Sequence, residues 1–237
     1  MVSSNNSIKG AFERANITPP WISFTFDLSE IILRYPPKLF PRKTMLYNCN
    51  EYAPFVYVIS SGRVENYSLD SDGHKKVTMI CERGTFLGDI SAIDGRPNYT
   101  GALLITDSML SCIPKQDFIP LILSIKNLSI LVLQMMAQKI RLLNSQIELS
   151  WFKDSESKIS YVLLSACHEY ELVRDECYLV PMQLTHDDIA NITGLNRVTV
   201  SRVLSEFTKE GIIIKIPGKL YWMNIKRLQE KIKFLYS

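Results

Sequence analysis

The sequence lacks the patterns that mark several classes of protein. Its first ten residues, "MVSSNNSIKG", do not place a basic segment before an apolar stretch, so they do not resemble a secretory signal. The longest apolar run, "FIPLILSIKNLSILVLQMMA", is interrupted by Pro120, Lys126, Asn127 and Gln134, which is not typical of a membrane-spanning helix. We therefore expect a cytoplasmic protein without a membrane partner.

Closely paired cysteines are absent as well. The five cysteines are widely spaced and include no C-x-x-C pair: Cys49, Cys81, Cys112, Cys167 and Cys177. Zinc and iron–sulfur sites normally need ligands that lie close together in the sequence. We expect reduced thiols that pack as small hydrophobic side chains, with no metal and no cofactor.

Catalytic groups are scarce. Of the three histidines, only His74 falls in the strand-rich part of the chain, while His168 and His186 lie nearer the C-terminus. An enzyme on a cupin-like barrel would need clustered His and carboxylate ligands on its strands. No nucleophile–base pair or phosphate-binding motif takes their place. The sequence predicts a protein that is not an enzyme and has no catalytic residues.

What the sequence does contain is a change of pattern near residue 115. From about Phe40 to Pro114, short runs rich in β-branched and aromatic residues alternate with turn signals, and Asp72-Gly73 is typical of a hairpin. This pattern predicts a small antiparallel barrel or sandwich. We therefore expect an α+β fold class, with an effector-sensing β-domain at 1–115, a long dimerisation helix at 116–151 and a DNA-binding domain at 152–237.

The long helix has an apolar stripe at helical spacing, formed by Leu121, Ile125, Leu128, Val132, Met135, Leu142 and Leu149. One alternative is that this stripe packs against the β-domain of its own chain. We favour a seam between two chains, because one small barrel cannot cover so long a helix.

The C-terminal segment predicts a winged helix-turn-helix. "LTHDDIANITG" begins with Thr185 as a candidate N-cap and ends at Gly194, and a second helix runs from about Asn196 to Glu210. "IIIKIPGKLYWMN" then reads as two strands joined at Pro217-Gly218. A helix, a short turn, a second helix and a hairpin in this order are typical of a DNA-binding domain.

The polar face of the second helix suits the major groove, because arginine can bridge guanine O6 and N7 and helix N-termini favour phosphate oxygens. We expect Arg202 to contact a base. We expect Thr185, Thr199 and Lys219 mainly to hold phosphates. The full set of predicted DNA-binding residues is Thr185, Asn196, Arg197, Val198, Thr199, Ser201, Arg202 and Lys219.

Two parts of the chain resemble the CRP/FNR family of bacterial transcription regulators. One is "IANITGLNRVTVSRVLSEFTKEGII", and the other combines "FPRKTMLYNCNEYAPFVYVISSGRV" with "GTFLGDISAIDGRPNYTGALLITDS". The resemblance covers nearly the whole chain, and its second part is similar to the β-roll of cyclic-nucleotide-binding domains. It implies a homodimer joined through the long helix, a small-molecule effector between the β-domain and that helix, and a two-fold symmetric site on double-stranded DNA. It also implies RNA polymerase as a partner of an activator.

The effector positions depart from the family pattern. Members that bind cyclic AMP carry Gly-Glu-Leu and then Arg-Ser or Arg-Thr, whereas this chain has Gly88-Asp89-Ile90 and Tyr99-Thr100. A phenol cannot neutralise a phosphate, so an effector other than cyclic AMP is expected. The segment "VTVSR" is similar to the recognition helix of CprK-type regulators of reductive dehalogenation. This resemblance implies a halogenated aromatic effector near Tyr99. Lys139 would then face its acidic oxygen, although a solvated Lys139 is the favoured alternative.

Val198 bears on DNA sequence preference. Many members of the family have glutamate at this position, where a carboxylate accepts a hydrogen bond from cytosine N4. Valine lacks an acceptor and can pack on a thymine methyl group, so we expect an A/T-rich palindrome with half-sites resembling TTAAT. The alternative function is a regulatory ligand-binding subunit whose C-terminal helices contact protein instead of DNA.

Overall fold

The computed structural model describes residues 20–73, 75–167, 172–174, 177–181, 184–216 and 220–232. The chain divides into two compact units, one at residues 21–140 and another that includes residues 141–237. The boundary between the units falls inside a helix, between Ile140 and Arg141.

The unit at 21–140 is built on two β-sheets. Its strands are β1 (Trp21–Ile22), β2 (Lys38–Phe40), β3 (Met45–Tyr47), β4 (Phe55–Ser61), β5 (Val64–Leu69), β6 (Lys75–Cys81), β7 (Phe86–Leu87), β8 (Gly101–Leu104) and β9 (Ser108–Pro114). One sheet has the order β1-β6-β5-β8-β3 and the other β2-β9-β4-β7. Apart from β1, which runs parallel to β6, the pairs in these sheets are antiparallel. The predicted hairpin at Asp72-Gly73 joins β5 to β6, and the α+β fold class is confirmed.

Helices accompany these sheets: α1 (Ser29–Arg34), α2 (Asp89–Asp94), α3 (Lys115–Ser124) and the first half of α4 (Leu128–Trp151). The ring of Phe86 on β7 lies 5.5 Å from Phe118 of α3 and 6.3 Å from Phe26, measured between centroids. Aromatic side chains bury large apolar areas. The contact between Phe86 and Phe118 therefore joins α3 to the sheet that contains β7.

The prediction of one continuous helix over 116–151 was wrong. The chain forms α3 and α4 as separate helices whose axes are bent by 115°. Asn127 between them has a left-handed φ of 65°, a conformation that asparagine tolerates better than most residues. The helical periodicity continues across the bend, so it concealed the break. No single helix in the described part of the chain is long and apolar enough to span a membrane, and α3 and α4 pass that test only as a bent pair.

The predicted dimer seam was placed on the wrong face. Six residues of the stripe are buried within a single chain, and only Ile125 is half-buried: Leu121, Leu128, Val132, Met135, Leu142 and Leu149 form the buried set. Met135 packs under the backbone of β7, with its Sδ 3.3 Å from the amide nitrogen of Phe86. This stripe is therefore part of the protein's own core.

The unit that includes 141–237 contains α5 (Ser155–Cys167), β10 (Leu172–Arg174), β11 (Cys177–Pro181), α6 (His186–Thr193), α7 (Arg197–Lys209), β12 (Ile213–Ile216), β13 (Leu220–Asn224) and α8 (Ile225–Glu230). Its sheet has the order β10-β11-β13-β12. The predicted winged helix-turn-helix is confirmed in α6, α7 and the β12–β13 hairpin. Sequence reasoning did not identify β10 and β11, which extend the hairpin into a four-stranded sheet.

Candidate nucleic-acid interface and effector site

The first helix of the motif begins at a reciprocal cap. Thr185 Oγ1 accepts a hydrogen bond from the Asp188 amide at 3.1 Å, and the Thr185 amide donates to Asp188 Oδ2 at 2.7 Å. Such a capping box satisfies amides that the first helical turn leaves without partners. Thr185 is therefore the N-cap that the sequence predicts, and its side chain remains exposed.

A tight turn leads from α6 into α7. Gly194 has a left-handed φ of 70°, which glycine adopts without steric cost. Asn196 then caps α7, since its Oδ1 accepts a hydrogen bond from the Thr199 amide at 2.7 Å. The side chain of Asn196, predicted to face DNA, therefore caps the helix and is also exposed.

The two faces of α7 separate as predicted. Val200, Val203, Leu204 and Phe207 are buried. Arg197 and Arg202 are exposed, Val198 is 78% exposed, and Thr199 and Ser201 are half-buried. An exposed valine between polar side chains is not explained by packing within the chain. Lys219, the predicted wing contact, lies outside the described residues.

Side chains that sequence reasoning missed occupy the same surface. His186 Nδ1 lies 2.9 Å from Ser201 Oγ and so joins α6 to α7. Arg197 Nε lies 3.6 Å from Asp187 Oδ1, and Arg202 Nη1 lies 3.0 Å from Glu206 Oε1. The interval of four residues between Arg202 and Glu206 was a readable signal for a helical pair. The contacts between α6 and α7 could not be predicted from sequence spacing, because they depend on how the two helices pack.

Two of the predicted effector residues, Asp89 and Lys139, form a buried ion pair. Lys139 Nζ donates to Asp89 Oδ1 at 2.8 Å, to Asp89 Oδ2 at 2.6 Å and to the Phe86 carbonyl at 3.0 Å. The side chains of Lys139 and Asp89 are only 5% and 3% exposed. The favoured expectation of a solvated Lys139 was wrong, because Asp89 at the start of α2 supplies a counter-charge.

The other predicted effector residues differ in backbone conformation and exposure. Gly88 has a left-handed φ of 76° immediately before α2, and Thr100 is half-buried. Tyr99 is 77% exposed, so its ring does not line a buried pocket in this structure. Of the five predicted residues, the structure brings together Gly88, Asp89 and Lys139.

Two titratable side chains lie near this ion pair. Burial raises the pKa of the Tyr47 hydroxyl well above its usual range, and the charge of Asp89 raises it further. Burial also raises the pKa of the Cys81 thiol to about 12, while the charge of Lys139 acts in the opposite direction. Both groups stay neutral near pH 7, so they add no charge beside the pair. Within the described residues, no three His, Cys, Asp or Glu side chains come together as a metal site.

The outer face of α4 carries a second apolar stripe. Positions spaced alternately three and four residues apart are exposed: Ile130, Leu133, Ala137, Ile140, Asn144, Ile147 and Trp151. Apolar residues at these intervals form the seam of a two-stranded coiled coil. The buried stripe described above lies on the opposite face of the same helix. Asn144 is the one polar side chain at the seven positions.

Comparisons with known proteins match both parts of the chain. The sequence matches the cyclic nucleotide-binding domain at residues 37–124 and the Crp-like helix-turn-helix domain at residues 157–231. It is 23% identical over 194 residues to the cyclic AMP receptor protein of Thermus thermophilus, covering 81% of this chain and 86% of that protein. These matches span both the β-rich part and the predicted DNA-binding part.

Solved structures have the same fold. A mutant of CooA from Carboxydothermus hydrogenoformans is similar with a TM-score of 0.72 and 20% identity, covering 87% of this chain and 91% of the other. CprK in complex with OCPA is similar with a TM-score of 0.71 and 17% identity, covering 90% of this chain and 96% of the other. At these identities the similarity shows the fold alone.

Proposed function

The chain belongs to the CRP/FNR family of transcription regulators, and we propose that it acts as a homodimeric activator that binds a two-fold symmetric DNA site. The observation that carries this proposal is the surface of α7, where Arg197, Val198 and Arg202 are exposed next to a tightly turned helix start. Such a helix can enter the major groove with its N-terminal half facing the base edges. The cytoplasm, where a bacterial regulator meets DNA, is the proposed location.

The exposed stripe of α4 supports a dimer. Ile130, Leu133, Ile140, Ile147 and Trp151 are each more than half exposed in the single chain. A second copy of α4 would cover them in a parallel coiled coil and would place two recognition helices on one duplex. The proposed division of roles keeps effector sensing in 1–115, dimerisation in 116–151 and DNA binding in 152–237.

The exposed valine supports an A/T-rich palindrome. Val198 offers methyl groups to the major groove and no hydrogen-bond acceptor, so a thymine methyl group is a better neighbour than a cytosine amine. Arg202 is the proposed base reader, and Thr185, Thr199 and Lys219 are the proposed phosphate contacts. RNA polymerase is the protein partner proposed for an activator.

The proposed effector is a small molecule other than cyclic AMP. Tyr99 supplies no positive charge for a cyclic phosphate, and the charge of Lys139 is already balanced by Asp89. A halogenated aromatic acid could reach Lys139 only by displacing the Asp89 carboxylate. This competition predicts that an effector that binds Lys139 must offer an anionic oxygen.

The test is selection of duplexes from a random pool by the purified protein, followed by sequencing. Enrichment of an A/T-rich palindrome is expected for the wild-type protein, and Arg202→Ala should lose the preference at one symmetric position. The competing function, a ligand-binding subunit that contacts protein through its C-terminal helices, predicts no enrichment of any sequence.

A further inference from the structure

The helix-turn-helix segment carries a small excess of negative charge, although its proposed partner is a polyanion. Residues 185–210 contain three Lys or Arg side chains (Arg197, Arg202 and Lys209) and four acidic ones (Asp187, Asp188, Glu206 and Glu210). Affinity for DNA comes largely from cationic side chains that neutralise phosphates and release counterions. The local excess of carboxylates therefore opposes the first step of DNA binding.

Two of these carboxylates lie directly beside the arginines of the recognition helix. Asp187 reaches Arg197 from the first turn of α6, with Nε and Oδ1 3.6 Å apart. Glu206 accepts from Arg202 Nη1 at 3.0 Å and 3.2 Å through its two oxygens. The other two acids have different partners: Asp188 completes the cap with Thr185, and Glu210 binds Lys231 at 2.9 Å.

Fold stability does not account for these two pairs. The side chains of Arg197 and Asp187 are 67% and 61% exposed, and those of Arg202 and Glu206 are 58% and 37% exposed. Ion pairs in solvent contribute little to folding, because water screens the charges and the long side chains lose conformational freedom. What the pairs do change is the charge that each arginine presents to an approaching phosphate.

We propose that Asp187 and Glu206 compete with DNA for Arg197 and Arg202 and thereby limit the DNA affinity of each subunit. This inference rests on the proposed DNA-binding function. An arginine must leave its carboxylate before it can contact DNA, and the freed carboxylate then repels nearby phosphates. The cost falls on every sequence alike. A single subunit consequently has a low affinity for DNA, and tight binding requires two recognition helices on one site.

The experiment measures fluorescence anisotropy of two duplexes, one obtained by selection and one of unrelated sequence, over a range of salt concentrations. The variants are Asp187→Asn and Glu206→Gln. The matched control is Glu30→Gln, which removes one negative charge and an exposed pair with Arg34, 3.8 Å away in the other unit. Melting curves verify that each variant is folded.

Each of the two variants should raise affinity for both duplexes by about 1.5- to 5-fold, the range expected for loss of an exposed ion pair. The slope of log affinity against log salt should steepen by up to about 1, since more counterions are released on binding. In an Arg197→Gln background, Asp187→Asn should raise affinity by less than it does in the wild-type background, because only the repulsion between the carboxylate and the phosphates remains to be removed.

A gain no larger than that of Glu30→Gln would overturn the inference, and so would an equal gain from Asp187→Asn with and without Arg197. Either result would leave the wild-type protein binding DNA and the proposed function intact. If the wild-type protein bound neither duplex at low salt, the proposed function itself would be overturned.

Discussion

Replacing Lys139 with methionine should destabilise the unit at 21–140 severely. The change would leave the Asp89 carboxylate almost fully buried with its bonded cation removed, and the Phe86 carbonyl without the 3.0 Å hydrogen bond from Lys139. Removing one partner of a buried ion pair typically costs about 3–5 kcal/mol of unfolding free energy. We expect a loss within this range.

A second change should recover most of that loss. In the double variant Lys139→Met with Asp89→Leu, both buried charges are absent, and replacing a buried pair by apolar side chains is often neutral or stabilising by about 1–4 kcal/mol. The Phe86 carbonyl still lacks its donor, at a cost of about 1–3 kcal/mol. These opposing contributions should leave the double variant within about 3 kcal/mol of the wild type.

Urea unfolding provides the assay. Trp21 is buried in β1 of this unit, so its fluorescence reports on the unit when Trp151 and Trp222 are replaced by phenylalanine. With a urea dependence of about 2 kcal/mol per molar, Lys139→Met should lower the midpoint by about 1.5–2.5 M. A loss below about 1 kcal/mol in the single variant, or an equal loss in the double variant, would refute a buried and energetically coupled pair.

Three further predictions address the dimer, the effector and the DNA contacts. The double variant Ile140→Glu with Ile147→Glu should sediment as a folded monomer. Val132→Glu should instead unfold the protein, because Val132 lies in the core. An unchanged dimer in the double variant would exclude the exposed stripe as the seam. Cyclic AMP at millimolar concentration should leave the melting temperature unchanged, whereas binding at about 100 times the dissociation constant would stabilise by about 2.7 kcal/mol. Arg202→Ala should weaken DNA binding by about 1–3 kcal/mol and relax the preference at one base pair. Lys219→Ala should weaken binding to all sequences alike and flatten the salt dependence of the affinity. Equal losses that do not depend on the DNA sequence would contradict these roles.

Sequence patterns predicted the structure correctly where it depends on residues that are close together in the chain. Thr185 and Gly194 mark the two ends of α6, and Asp72-Gly73 marks the β5–β6 hairpin, because caps and turns depend on residues close together in the chain. The apolar side of α7 was predictable for the same reason. Its periodicity and the neighbouring caps indicate the same helix.

Long-range choices could not be read in this way. Two apolar stripes run along α4, and periodicity alone does not show which one packs on the protein's own sheets. Neither proline nor glycine lies at the break near Asn127, so no helix-breaking residue indicates it. Asp89 and Lys139 are 50 residues apart, so their pairing depends on how α4 lies against β7 and α2. The link between Asp187 and Arg197 similarly requires the turn between α6 and α7.

The most direct test of the account is parallel selection of duplex DNA by the wild-type protein and by Val198→Glu. Val198 is exposed on the recognition helix, and a carboxylate there would gain a partner in cytosine N4. The wild-type protein should select an A/T-rich palindrome, and the variant should shift one symmetric position from A·T to G·C. If both proteins select the same half-site, or neither enriches any sequence, α7 does not read DNA as proposed.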